Sequence, residues 1–180
     1  MDALVLEATG GAQAAAASGS SVLDLDTYLP ARLMILSNKL SRGASNLYRQ
    51  HFGVGINEWR VLSYLAGESW IAASRICQMV GLDKAAVSRS LSFLDQRGLV
   101  DSRTPGGDAR RRLYSLTASG RLLHDRAMVV ALERERRLVS CLTLEEQATL
   151  LALLNRLHGN LGSVDRPYDV PPGPHTATGD

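Results

Sequence analysis

The chain has little cysteine, almost no lysine and no long apolar run. Its two cysteines, Cys77 and Cys141, cannot build a disulfide framework, and neither stands in a Cys-x-x-Cys or Cys/His spacing suited to zinc. A reducing cytoplasm is the expected compartment. No apolar stretch reaches the ~18–20 residues needed to span a bilayer, and Asp2 and Glu7 stand where a secretory signal would carry positive charge. Membrane insertion and export are therefore not expected. Ser/His/Asp sets, paired carboxylates, phosphate-binding loops and metal-ligand clusters are missing as well, which argues against an enzyme. His51, His124 and His158 share no metal spacing, and His175 lies near the C-terminus, so neither a metal nor a cofactor is predicted.

Lysine is confined to Lys39 and Lys84, and every other basic residue is arginine. Arginine suits bidentate contacts to phosphate and guanine edges. A GC-rich genome gives the same bias, and is the explanation given more weight.

What is present is a chain of 180 residues with 45% hydrophobic residues and a net charge of +2. This is enough apolar material for one domain with extensions. A mildly basic balance permits nucleic-acid binding, provided the positive charge gathers on one surface. Residues 1–22 are rich in Ala, Gly and Ser and read as a disordered tail. Residues 163–180 hold Pro167, Pro171, Pro172 and Pro174 and read as a second one.

Between the tails the pattern is mainly helical. Leu25, Leu29, Leu33, Leu36, Leu40 and Leu47 predict a long first helix, and Trp59, Leu62 and Leu65 mark a second over about 57–66. Short helices follow at about 73–80 and 84–97. Leu99–Arg103 and Arg111–Leu116 flank Pro105-Gly106-Gly107-Asp108 and predict a β-hairpin. Thr117 is placed to cap a helix reaching about Val139. Thr143 and Glu146 form a capping box for a last helix, in which Leu150, Leu154, Leu157 and Leu161 have the spacing of a helix–helix seam.

The stretch from Ala73 to Gly98 reads as two helices joined by a tight turn at Gly81, with Asp83 as N-cap and Gly98 as stop signal. In the second of them Val87, Leu91 and Leu94 share one face, while Lys84, Ala85, Ser88, Arg89 and Ser92 share the other. Small polar side chains with two cations can approach the floor of a major groove. A plain solvated face would look the same. The hairpin tips the balance, because Arg103, Arg110, Arg111 and Arg112 lie on it. From Lys84 to Arg112 there are seven cations and three acids, a net charge of +4 against +2 for the whole chain. Positive charge is thus concentrated on the helix and hairpin, as phosphate binding requires.

Several fragments in order make the pattern specific. They are Glu58-Trp59-Arg60-Val61-Leu62, Val80-Gly81-Leu82-Asp83-Lys84, Val87-Ser88-Arg89, Gly98-Leu99-Val100 and Asp108-Ala109-Arg110, then Leu116-Thr117 and Gly120. In these residues the chain resembles the MarR family of winged helix-turn-helix transcriptional regulators, over roughly 25–160. The fold class implied is mainly α with a small β-hairpin wing. It would comprise a winged helix-turn-helix lobe at about 55–116 and dimerisation helices at about 24–51 and 117–161, together a domain over 23–162.

The resemblance implies a homodimer on double-stranded DNA carrying an inverted-repeat operator, with Lys84, Ala85, Ser88, Arg89 and Ser92 toward the major groove. It also implies that Arg110, held by Asp108, enters the minor groove from the wing, where narrow-groove potential favours arginine. Arg103 lies on the same wing, and Arg111 and Arg112 would either hold the backbone or support the strand. A small aromatic or phenolic effector is implied too, with Arg32, Ser37, Asn38, Tyr48, His51 and Arg60 as candidate contacts; plain surface or structural hydrogen bonding is the alternative for each. The expected function is a repressor released by that effector. The alternative is a winged-helix protein-interaction module without DNA binding. Ala72 and Gly55 stand where relatives often carry Thr or Ser, which weakens two helix caps. Phe93, where a polar residue is common, is either an extra core contact or an exposed aromatic beside DNA. Cys77, four residues before Gly81, reads as a structural thiol rather than a redox sensor.

Overall fold

The computed structural model describes residues 22–107 and 112–169. The chain falls into two compact units, one ending at Ala127 and the other beginning at Met128.

The first unit opens with Asp24, whose carboxylate accepts from the Asp26 amide and the Thr27 hydroxyl and closes a turn. The helix α1 therefore covers Leu29–Phe52, starting four residues later than the leucine periodicity predicted from Leu25. Pro30, in the first turn, needs no amide donor there and suits a helix start. Gly53 ends the helix in left-handed backbone, φ 67°. The helix α2 (Ile56–Gly67) follows. Gly55 has no side chain to offer, so only half of a capping box forms, with Glu58 Oε2 accepting from the Gly55 amide at 2.8 Å.

A two-residue strand β1 (Ile71–Ala72) leads into α3 (Ala73–Val80), then α4 (Lys84–Gln96), β2 (Val100–Arg103), a 3-10 turn (Pro105–Gly107) and β3 (Leu113–Leu116). The sheet order is β1-β3-β2, antiparallel throughout. The predicted hairpin is therefore joined by a third strand too short to show an alternating pattern. The register pairs Arg103 and Ala72 with Leu113, from opposite sides.

The core of this unit lies between α2, α3, α4 and the sheet. Val54, Val61, Leu62, Leu65, Ile76, Val87 and Leu94 are fully buried, and Ile71, Leu91 and Val100 nearly so. Each such aliphatic side chain contributes roughly 1.5–3 kcal/mol.

The helix α5 covers Ala118–Leu138, and Thr117 caps it, its Oγ1 accepting from the Gly120 amide at 2.9 Å. The second unit holds the rest of α5, then α6 (Leu144–Gly159) and α7 (Leu161–Val164). Thr143 and Glu146 form the predicted capping box at 3.2 and 2.7 Å. The last helix breaks at Asn160, after Gly159, so Leu161 belongs to α7 rather than to the α6 seam. No residue of α6 is buried, and Leu150, Leu151, Leu153, Leu154 and Leu157 are all exposed.

Candidate nucleic-acid interface

The turn between α3 and α4 has the geometry its sequence dictates. Gly81 takes φ 65°, and Asp83 Oδ1 accepts from the Ala86 amide at 2.7 Å. At the other end of α4, Gly98 takes φ 63°; its amide bonds the Asp95 carbonyl, and the Leu99 amide bonds that of Leu94. This is a Schellman stop, with Leu94 and Leu99 both buried behind it.

The inner face of α4 packs Val87, Leu91 and Leu94, and also Ser90, which is 1% exposed. Ser90 Oγ donates to Glu58 Oε1 at 2.8 Å, while the other oxygen of that carboxylate holds the Gly55 amide. One carboxylate thus joins α4 to the start of α2 and seats the helix. Ser90 was not singled out in the sequence, although its place between Val87 and Leu94 put it on the apolar face.

The outer face of α4 carries Lys84, Ala85, Ser88, Arg89 and Ser92, all exposed. Lys84 and Arg89 make no hydrogen bond or ion pair among the described residues, so their charges are available to a partner. Phe93 is an exposed aromatic, 37% accessible, with the Arg97 guanidinium 5.5 Å from its ring centre. Arg97 also donates to the Gly53 carbonyl at 2.6 Å, which commits it to the turn after α1.

On the sheet, Arg103 is exposed, its guanidinium carbon 4.1 Å from the centre of the Trp70 ring. Arg112 donates to Ser102 Oγ at 2.6 Å, lies 3.7 Å from Asp95 Oδ2 and stacks near Tyr114. These partners place Arg112 against β2 and α4. Asp108, Arg110 and Arg111 lie outside the described residues.

Of the effector candidates, Arg32, Ser37, Asn38, Tyr48 and His51 lie along α1 and Arg60 lies on α2. Arg32 and His51 are nineteen residues apart along α1, about 28 Å at 1.5 Å per residue. Arg32 pairs with Asp26 at 3.3 Å, and Arg60 donates to Ser41 at 3.3 Å. Ser37 and Asn38 are exposed, and His51 packs against Phe52. Tyr48 is buried, its ring 5.4 Å from that of Trp59, which in turn stacks on His124. Cys77 is partly buried and Cys141 exposed. Among the described residues no group of His, Cys, Asp or Glu is arranged to hold a metal, and no helix is long and apolar enough to cross a membrane.

This arrangement of a tight helix-turn-helix beside a small antiparallel sheet recurs in known proteins. A family model described as MarR family matches residues 52–111. The crystal structure of a MarR/EmrR family transcriptional regulator from Acinetobacter sp. ADP1 superposes with a TM-score of 0.73. It is 33% identical, over 78% of this chain and 99% of that one. The chain belongs to the MarR family.

As a member it is a transcriptional regulator by class and not an enzyme. The PcaV regulator of Streptomyces coelicolor, solved with its natural ligand, is 25% identical with a TM-score of 0.65, covering 78% of this chain and 98% of its own. An uncharacterised HTH-type transcriptional regulator of Bacillus subtilis (strain 168), YdgJ, is 28% identical over 116 residues, 63% of this chain and 69% of its own length. The MarR chain here thus has the mainly helical winged fold that its sequence implied.

Proposed function

We propose that this MarR-family chain is a sequence-specific regulator that binds double-stranded DNA as a homodimer and represses transcription until a small aromatic or phenolic effector releases it. The observation that carries the reading is the exposed face of α4. Its small residues, and two cations that make no hydrogen bond or ion pair among the described residues, stand opposite a fully seated apolar face. Lys84, Ala85, Ser88, Arg89 and Ser92 enter the major groove, where Arg89 reads a base edge and Lys84 neutralises phosphate. Arg110 enters the flanking minor groove, oriented by Asp108, while Arg103 and Arg111 meet the backbone. Arg112 serves the interface from behind, by holding the strand.

The dimer is supported by apolar faces that the single chain leaves uncovered: Leu29, Leu33, Met34 and Leu36 on α1, and Leu150, Leu154 and Leu157 on α6. Twofold symmetry then requires an inverted-repeat operator with half-sites about one helical turn, ~34 Å, apart. An effector acts by favouring a lobe separation that no longer matches that spacing. PcaV, which has a natural ligand, supports the existence of such a site. A cytoplasmic location suits the two free cysteines.

Selection of bound duplexes from a random pool, repeated with candidate aromatic acids, tests this reading. Enrichment of an inverted repeat that aromatic acids then deplete is the expected result. A pool that stays random would count for a protein-interaction module instead.

A further inference from the structure

The bend Glu68–Trp70 joins α2 to β1, and its last residue has an unusual backbone. Trp70 takes φ 62°, the one non-glycine in the left-handed region among the described residues. Bulky side chains rarely adopt that conformation, and they hold it where the surroundings over-determine it.

Over the Trp70 ring lies Arg103. Its guanidinium carbon lies 4.1 Å from the Trp70 ring centre, against 5.5, 5.6 and 5.8 Å for the other arginine–aromatic pairs. Arg103 closes β2 at the point where the chain leaves the sheet for the wing tip, and β3 lies between it and β1. The side chain therefore reaches across the central strand to a ring beside the far edge strand. A guanidinium carbon seated over a ring engages the cation through its charge and leaves the N–H donors, which lie in the guanidinium's own plane, for an anion. Arg103 has no ion pair among the described residues, so none of their carboxylates competes for those donors.

We infer that Trp70 is a positioning residue for a DNA phosphate: it holds Arg103 stacked and extended at the base of the wing, so that the guanidinium meets the backbone already ordered. The inference rests on the DNA-binding reading above. Trp70 itself touches no DNA. Its effect passes entirely through Arg103, and this separates it from a residue that merely stabilises the sheet.

The test is a double-mutant cycle on affinity for a selected duplex over a range of salt concentrations, using the full chain. Arg103→Ala should lower the slope of log affinity against log salt by about 1, as loss of one phosphate contact requires. Trp70→Ala should weaken binding about three- to tenfold, yet cause no further loss in the Arg103→Ala background. Trp70→Tyr, which keeps an aromatic face, should bind within about twofold of the parent. Should Trp70→Ala not fold, Trp70→Leu keeps bulk without the ring and carries the same comparison. Equal losses in both Arg103 backgrounds, or unchanged affinity in Trp70→Ala, would overturn the inference while DNA binding stood. A parent protein that binds no duplex at all would overturn both.

Discussion

The imidazole of His124 lies nearly parallel to the indole of Trp59, with centroids 5.4 Å apart and planes at 14°. The stack joins α5 to α2 inside the first unit, and Tyr48 extends it to α1 with its ring tilted, 5.4 Å from that of Trp59. His124 is further fixed by Nδ1 at 2.8 Å from Asp125. Trp59 therefore packs against two helices besides its own. Trp59→Ala should destabilise the fold by about 2–3 kcal/mol, less than for a fully buried tryptophan because the ring is only part-buried. Urea denaturation measures this, and a change below about 0.5 kcal/mol would show that the stack is not a source of stability.

Two glycines separate close backbone approach from ordinary helix propensity. A Cβ on Gly120 would run into the Leu99 carbonyl oxygen, whereas one on Gly67 would meet nothing within 4 Å among the described residues. The Leu99 carbonyl also accepts from the Thr117 amide, so it cannot yield without loosening the start of α5. Gly120→Ala should cost about 1–3 kcal/mol, while Gly67→Ala should be neutral or stabilising by up to about 1 kcal/mol. Thermal denaturation of the pair decides it, and equal melting temperatures would refute the close approach.

Arg110→Ala should weaken operator binding strongly while leaving the oligomeric state intact. Unchanged affinity in a gel-shift titration at fixed salt would remove the wing from the proposed interface. Arg89→Ala should alter sequence preference, each lost base contact being worth about 1–3 kcal/mol. A uniform loss across all sequences would instead make Arg89 a phosphate contact.

Dimerisation should depend on the uncovered leucines of α6. Leu154→Glu with Leu157→Glu should give a monomer by sedimentation at micromolar concentration, where the parent sediments as a dimer. A parent that is already monomeric there would contradict the proposed assembly.

Acid should reach Glu133 late. Hydrogen bonds from Arg136 and Arg137, at 2.6–2.9 Å, hold its carboxyl down from 4.5 to about 2. Because the folded value is depressed, whatever this network contributes is present above about pH 4.5 and fades as pH falls through about 2. The group is solvent-exposed, so the contribution to stability is small. Carboxyl NMR titration should place the Glu133 midpoint near 2, and a midpoint close to 4.5 would mean the two arginines do not hold it.

The local structure of the interface is legible in the sequence alone. Gly81, Asp83 and Gly98 act through backbone conformation and short-range capping bonds, so their roles are legible within a few residues. The same holds for the Thr143–Glu146 box and for the split of α4 into a buried and an outward face, a matter of 3.6-residue periodicity. Tertiary structure decided what depends on long-range placement. Ser90 meets Glu58 from thirty-two positions away, and Arg97 reaches Gly53 from forty-four. Arg112 turns onto Ser102 and Asp95, and Arg103 onto Trp70. No sequence period encodes these pairings, because each arginine can extend to solvent or fold back, and the choice belongs to whatever the packed core brings within reach. The +4 stretch was therefore visible as charge; only the fold separated Arg97 and Arg112, which hydrogen-bond within the lobe, from Arg103, whose guanidinium lies exposed beside Trp70, and from Lys84 and Arg89, which make no such bond among the described residues.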